Sequence, residues 1–168
     1  MDARPEVRDD ARVMPSSVLL SRWTMPALRI GMGVFLLTWG LDKMLAVEGA
    51  QGIFERFYRI EAGPSLIQIA GLAEVVLAVL LAVGLLRRPV AWVVLIVNAV
   101  STFASWRQIL DPWGRLGLAP GGSHLFLASI VIMAVSVVLV LNARDDTFSL
   151  DARRARGEKH RGRGMSVA

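Results

Sequence analysis

Ser65–Leu86, SLIQIAGLAEVVLAVLLAVGLL, is nearly unbroken apolar sequence with one carboxylate, Glu74, close to its middle. As an α-helix it spans roughly 33 Å, enough to cross the hydrocarbon core of a bilayer. A carboxylate at that depth is costly unless it is protonated, paired or turned towards a polar cavity, and such residues are functional candidates by default. Gln68, Gly71, Glu74, Ala78 and Ala82 recur at helical spacing, with Leu, Val and Ile filling the other faces. Small residues let helices approach closely in lipid, so this spacing predicts that Glu74 points into a bundle.

Upstream, a first span is expected over about 27–45, opened by Pro26, which suits a first helical turn. Arg29, Gly33, Leu36, Gly40 and Lys43 form one stripe along it, the inward face. Arg29 is expected to snorkel to the interface. Lys43 follows Trp39-Gly40-Leu41-Asp42, and the reading of it as snorkelling or inward stays open. Between these spans, Ile53, Phe54, Phe57 and Tyr58 alternate with Glu55, Arg56 and Arg59, a short amphipathic helix in the headgroup layer ended by Gly63-Pro64.

Downstream, Arg87-Arg88-Pro89 reads as a tight turn into a third span over about 90–106, with Asn98, Ser101, Thr102 and Ser105 on one face. The hydroxyls of Thr102 and Ser105 are expected to bond to their own helix carbonyls, and Asn98 to bond across helices. A Gly/Pro-rich loop precedes a fourth span over about 124–141. The fold class is therefore all-α: a polytopic four-transmembrane-helix bundle at 26–142, with an amphipathic interfacial helix between spans one and two. A polar tail (1–25) and a basic, disordered tail (143–168) flank it.

Hydrophobic residues make up 54% of the chain, too many for an ordinary soluble protein. The +5 charge sits mostly in the tails and one turn, without interleaved aromatics, so nucleic acid is not the expected partner. Anionic lipid is. Thirteen basic residues (four in the first tail, Arg87, Arg88 and seven in the last tail) lie on one side, against Lys43, Arg56, Arg59, Arg107 and Arg115. The positive-inside rule then puts both termini in the cytoplasm and the bundle in the cytoplasmic membrane. A cleaved signal peptide within Met1 to Ala50 competes, but its apolar run exceeds a usual h-region and AVEGAQG lacks a clean small-x-small site. No internal repeat is evident.

The chain has no cysteine, which excludes disulfides, thiolate metal sites and dithiol redox steps. Two-histidine haem ligation is not expected, because His160 lies in a tail on the side opposite His124, and no metal-type cluster is present. Counting depth from helix ends places Glu74 and Asn98 near the midplane, with Lys43, Trp106 and His124 near the outer surface. The expected site is an outward-opening polar cleft floored by Glu74 and Asn98, rimmed by Lys43 and His124, with Trp39, Ser101 and Trp106 as further candidates. Three roles stay open for Glu74: an ion pair with Lys43, a protonated donor to Asn98, or a proton relay to a ligand. His124 is an interface residue, or a proton donor or acceptor at the rim. No catalytic motif is present.

RIGMGVFLLTWGLDKML (Arg29 to Leu45), with its Gly-Leu-Asp-Lys ending, resembles the opening helix of the DoxX family. GLAEVVLAVLLAVGLLRRPVAW (Gly71 to Trp92) resembles it too, through a Gly-x-x-Glu helix leading to a basic turn. With the four-span layout, the resemblance covers roughly Arg22 to Leu141. It implies a four-helix cytoplasmic-membrane protein, whose relatives form the membrane part of thiosulfate:quinone oxidoreductases or join redox-protective complexes with superoxide dismutase and a sulfurtransferase. Lys43 and Glu74 match the family's polar pattern. Quinone is the cofactor the resemblance implies, and redox proteins or further copies of the chain are the partners. A non-catalytic anchor or assembly protein is the alternative, with a small transporter or proton pathway behind it.

Overall fold

The computed structural model describes residues 23–143 and 149–152. The readings of 1–22, 144–148 and 153–168 as tails lie outside the described residues. The chain forms α1 (Thr24–Leu45), α2 (Val47–Ile53) running into a π-helical turn (Phe54–Tyr58), and α3 (Pro64–Val83). Then come α4 (Arg87–Ala104), α5 (Trp106–Leu110), a 3-10 turn (Ser123–Leu127) and α6 (Ala128–Leu141). Among the described residues there is no strand.

α3 packs chiefly on α1, and α4 chiefly on α6, with lighter contacts closing the ring. Along the first pair, Gly33 meets Ala78 and Ala82 while Gly40 meets Gly71, so the helices are antiparallel. The glycines set the spacing. A Cβ on Gly71 would stand 2.7 Å from the Gly40 carbonyl oxygen, closer than real Cβ contacts come. Between the pairs, Met32, Leu36, Ala78, Leu81, Val94 and Leu139 form one core. In lipid such a core holds by close packing, because acyl chains compete for apolar contact as well as a neighbouring helix does. The outer faces keep large apolar groups exposed, Ile69, Val76, Ile96 and Val131 among them, as a lipid-facing surface requires.

Helix ends follow local chemistry. Gly63 is extended and Pro64 takes the first position of α3, so this dipeptide opens α3 instead of ending the amphipathic helix as expected. That earlier helix spans α2 and the π-helical turn, and stops at Arg59, which is left-handed at φ 59°. Ala50, Ala62, Ile67, Val47 and Phe54 seat it against the start of α3. At its other end, α3 closes in a Schellman motif, with Gly84 left-handed and the Leu85 N–H donating to the Leu80 carbonyl. Arg87-Arg88-Pro89 is not the turn but the first turn of α4. The Arg87 N–H donates to Asp151 Oδ2 at 3.0 Å, so residues 149–152 fold back over this end, with Ser149 buried.

Three stretches are long and apolar enough to cross a membrane: Thr24–Leu45, Pro64–Val83 and Ser123–Leu141. The expected third span is not among them. α4 starts at Arg87, so its length includes Arg87, Arg88 and Asn98, which dilute its apolar character.

Candidate functional site

Stripes of small residues on α1 and α3 bring two charged side chains together at their end of the seam. Lys43 Nζ lies 2.6 Å from Glu74 Oε2 and also donates to the Trp39 carbonyl at 3.3 Å. The stem bends towards the N-terminus of α1, the direction in which helical Cα–Cβ bonds lean. Its ammonium sits 5.7 Å from the centre of the Trp39 ring, which packs edge-on to Phe35. Of the three arrangements the sequence leaves open for Glu74, the ion pair is the one present. The Lys43 and Glu74 side chains keep 18% and 13% of their exposure, so the pair is mostly buried but reachable. For such a pair the cost of desolvation roughly offsets the attraction, so its net gift is register more than stability.

Asn98 does not join this group. Its side-chain amide donates to Ser136 Oγ at 2.8 Å on α6 and approaches Met32 Sδ at 3.7 Å. Among the described residues no hydrogen bond links it to Glu74. Met32 and Trp39 are seven residues apart, about 10 Å along the axis of α1, so the two polar groups sit at different heights. Counting depth from helix ends fails here because it ignores which neighbours each face meets. Glu74 meets Lys43 near the end of α1, whereas Asn98 meets Ser136 on α6 and Met32 earlier on α1. A floor shared by both is therefore not seen.

The remaining candidates scatter. The Ser101 hydroxyl lies 3.1 Å from the Tyr58 hydroxyl, linking the π-helical turn to α4, and Phe57 packs on Phe126 beside it. Thr102 and Ser105 bond to the carbonyls of Asn98 and Ser101 in their own helix, as expected. Trp106 is exposed at the start of α5 with Arg107 over its ring. His124 is exposed in the 3-10 turn, and its imidazole makes no hydrogen bond to a side chain among the described residues. Arg29 departs from the snorkelling expectation: it is buried, and its Nε donates to the Ala82 carbonyl at 3.1 Å.

A cavity of about 20 Å³ lies at the other end of the bundle, between Arg29, Gly84 and Val90. An open depression of about 300 Å³ lies among Gln51, Glu55 and Glu61. Neither is lined by Glu74 or Asn98. No group of residues suited to a metal ion occurs among the described residues.

One polar centre escaped the sequence reading. Asp111 is buried at the start of the loop, and its carboxylate accepts the N–H groups of Arg115, Leu116 and Leu118 at 2.7–3.0 Å. Burial alone would raise its pKa, but these donors and the Ala119 N–H outweigh it and hold the carboxyl below the ordinary 3.8. Asp-Pro-Trp-Gly is a turn signal, and that much was legible. A depressed pKa means the loop is stabilised at all pH values above the ordinary one, and loses that support as the pH falls through the lowered value. Hydrogen exchange at Leu116 and Leu118 is therefore expected to stay protected from neutral pH down to about pH 4 and to lose protection below it. Asp111→Asn should remove protection at neutral pH.

Paired apolar helices with lipid-type outer faces, close glycine contacts and a polar pair within the seam define a multi-pass α-helical membrane protein. Residues 24–106 match the model of the DoxX family, and this part of the membrane protein is a DoxX family domain. The match takes in α1 to α4 and ends at Trp106, before α6. No curated protein and no solved structure matches the chain.

Proposed function

We propose that this protein is the membrane subunit of a redox system, quinone-linked or protective against oxidative stress, and that it binds a quinone headgroup beside the Lys43–Glu74 pair. The observation that carries the reading is the partial opening of that pair next to an exposed Trp39 ring. An ammonium has three N–H donors; Glu74 and the Trp39 carbonyl take two, leaving one for a quinone carbonyl. Trp39 supplies a flat apolar wall, and apolar walls with few convergent polar groups are what such ligands need. The ligand would enter sideways from the lipid, in an outward-opening cleft shallower than one reaching down to Asn98. α4 completes the four-span bundle in this reading: Arg87 and Arg88 snorkel at one end, and Asn98 keeps its polarity inside. The thirteen-to-five distribution of basic residues supports both termini in the cytoplasm. Redox proteins or further copies of the chain are its partners.

Reconstituted full-length protein titrated with ubiquinone or menaquinone is expected to show saturable binding. Glu74→Gln and Lys43→Met should each weaken it about tenfold, near 1.4 kcal/mol. No binding by the wild type, or wild-type affinity retained in both variants, overturns the reading. A second reading, a non-catalytic anchor or assembly protein, is favoured by one observation: among the described residues no buried side-chain polar atom lacks a partner. In that case Glu74→Gln lowers thermal stability and no ligand effect is measured.

A further inference from the structure

The loop between α5 and the 3-10 turn carries Trp113, Leu116 and Leu118 with their side chains exposed, the first two at 70% and 68%. A floppy loop with such groups would be unremarkable, but this one is braced. Three of its N–H groups end on the Asp111 carboxylate, the Gly114 N–H donates to the Asp111 carbonyl, and the Ser123 N–H donates to the Pro112 carbonyl. Gly114 (φ 70°) has no room for a side chain, since a Cβ there would lie 2.7 Å from Gly121 N. The frame thus spends its backbone donors internally while turning apolar groups outwards. Water does not require that arrangement. The frame suits a lipid interface, where water thins out towards the hydrocarbon core and internally paired donors lose nothing by insertion.

We propose that residues 111–118 form an anchor that inserts Trp113, Leu116 and Leu118 into the headgroup layer of the outer leaflet, with the Asp111 carboxylate as its internal brace. Three features select lipid as the occupant. The loop joins α5 to the 3-10 turn, and the exposed Phe103 of α4 and Leu125 of that turn already belong to the apolar outer surface, so the anchor continues it. Trp106 and Trp113 alternate with Arg107 and Arg115, the amphipathic pairing of a bilayer interface, and Arg107 lies 5.4 Å over the Trp106 ring. The loop is pre-ordered, so insertion costs little further conformational entropy. This anchor does not depend on the quinone reading, because it uses none of the residues of the Lys43–Glu74 pair.

The absence of cysteine makes the test direct. Leu116→Cys in the full-length chain, labelled with a nitroxide and placed in phosphatidylcholine/phosphatidylglycerol bilayers, should be more accessible to oxygen than to a water-soluble nickel chelate. A water-like ratio overturns the proposal, and would instead point to a loop held free for a soluble protein. Trp113 provides a second measurement without a label: with Trp23, Trp39, Trp92 and Trp106 each changed to Phe, its emission should be blue-shifted and quenched by lipids brominated near the headgroup. Emission typical of water, quenched by iodide and not by bromolipid, also overturns it. Adding Asp111→Asn to Leu116→Cys should raise label mobility and reduce the oxygen preference at least twofold. An unchanged ratio and mobility would remove the carboxylate from its bracing role.

Discussion

Gly71→Val is expected to destabilise the bundle by about 3 kcal/mol, the upper part of the range for overpacking a tight interior. The contacts a side chain would meet at Gly71 are not flexible tips. The nearest is the Gly40 carbonyl oxygen at 2.7 Å, followed by Lys43 Cβ at 2.9 Å. The two helices must separate to admit the branched side chain, and separation loosens the Lys43–Glu74 pair one turn away. Gly31→Ala is the matched control, since nothing lies within 4 Å of a Cβ there. Alanine forms helix better than glycine, so this change should be neutral or stabilise by up to about 1 kcal/mol. Unfolding by SDS in mixed micelles reads both. Equal losses for the two variants would show that the seam is not held at glycine distance.

Glu74→Ala is expected to cost about 3 kcal/mol, because it leaves a mostly buried ammonium without its counter-ion. The double variant Lys43→Met/Glu74→Leu should recover to within about 1 kcal/mol of the wild type, since apolar replacement of a buried pair is often neutral. The same unfolding measurement distinguishes charge from packing. A double variant as unstable as Glu74→Ala would mean that the volume of the side chains, and not the unpaired charge, sets the loss. Quinone binding is a separate readout. Its loss in the stable double variant is expected if the pair contacts the ligand, whatever the stability result.

The course of α3 was legible because one physical signal dominates, an apolar run of bilayer length. Its end was not: the expected span ran on to Leu86, whereas the left-handed Gly84 closes the helix after Val83. The Lys43–Glu74 meeting was within reach because both residues continue stripes of small residues, and small residues on two helices meet most closely with each other. Asn98 shows where this stops. Its face was correctly polar and inward, but periodicity does not say which residues of the neighbouring helices an inward face meets, and the amide went to Ser136 and Met32, not to Glu74. Gly63-Pro64 has the same ambiguity, because Gly-Pro both ends and begins helices, and only the extended Gly63 settles that it begins one. Asp111 was hidden for another reason. Its donors, Arg115, Leu116 and Leu118, carry no side-chain signal of their backbone N–H groups turning inwards.

The charged partners of the seam sit on α1 and α3, the first two long apolar helices of the chain. During synthesis both therefore emerge from the ribosome ahead of α4 and α6. A lysine and a glutamate entering the bilayer singly would each oppose insertion, whereas entry as a paired hairpin would offset one charge with the other. The opening half of the chain is thus equipped to settle in the membrane as a unit, and the later helices assemble against a finished wall.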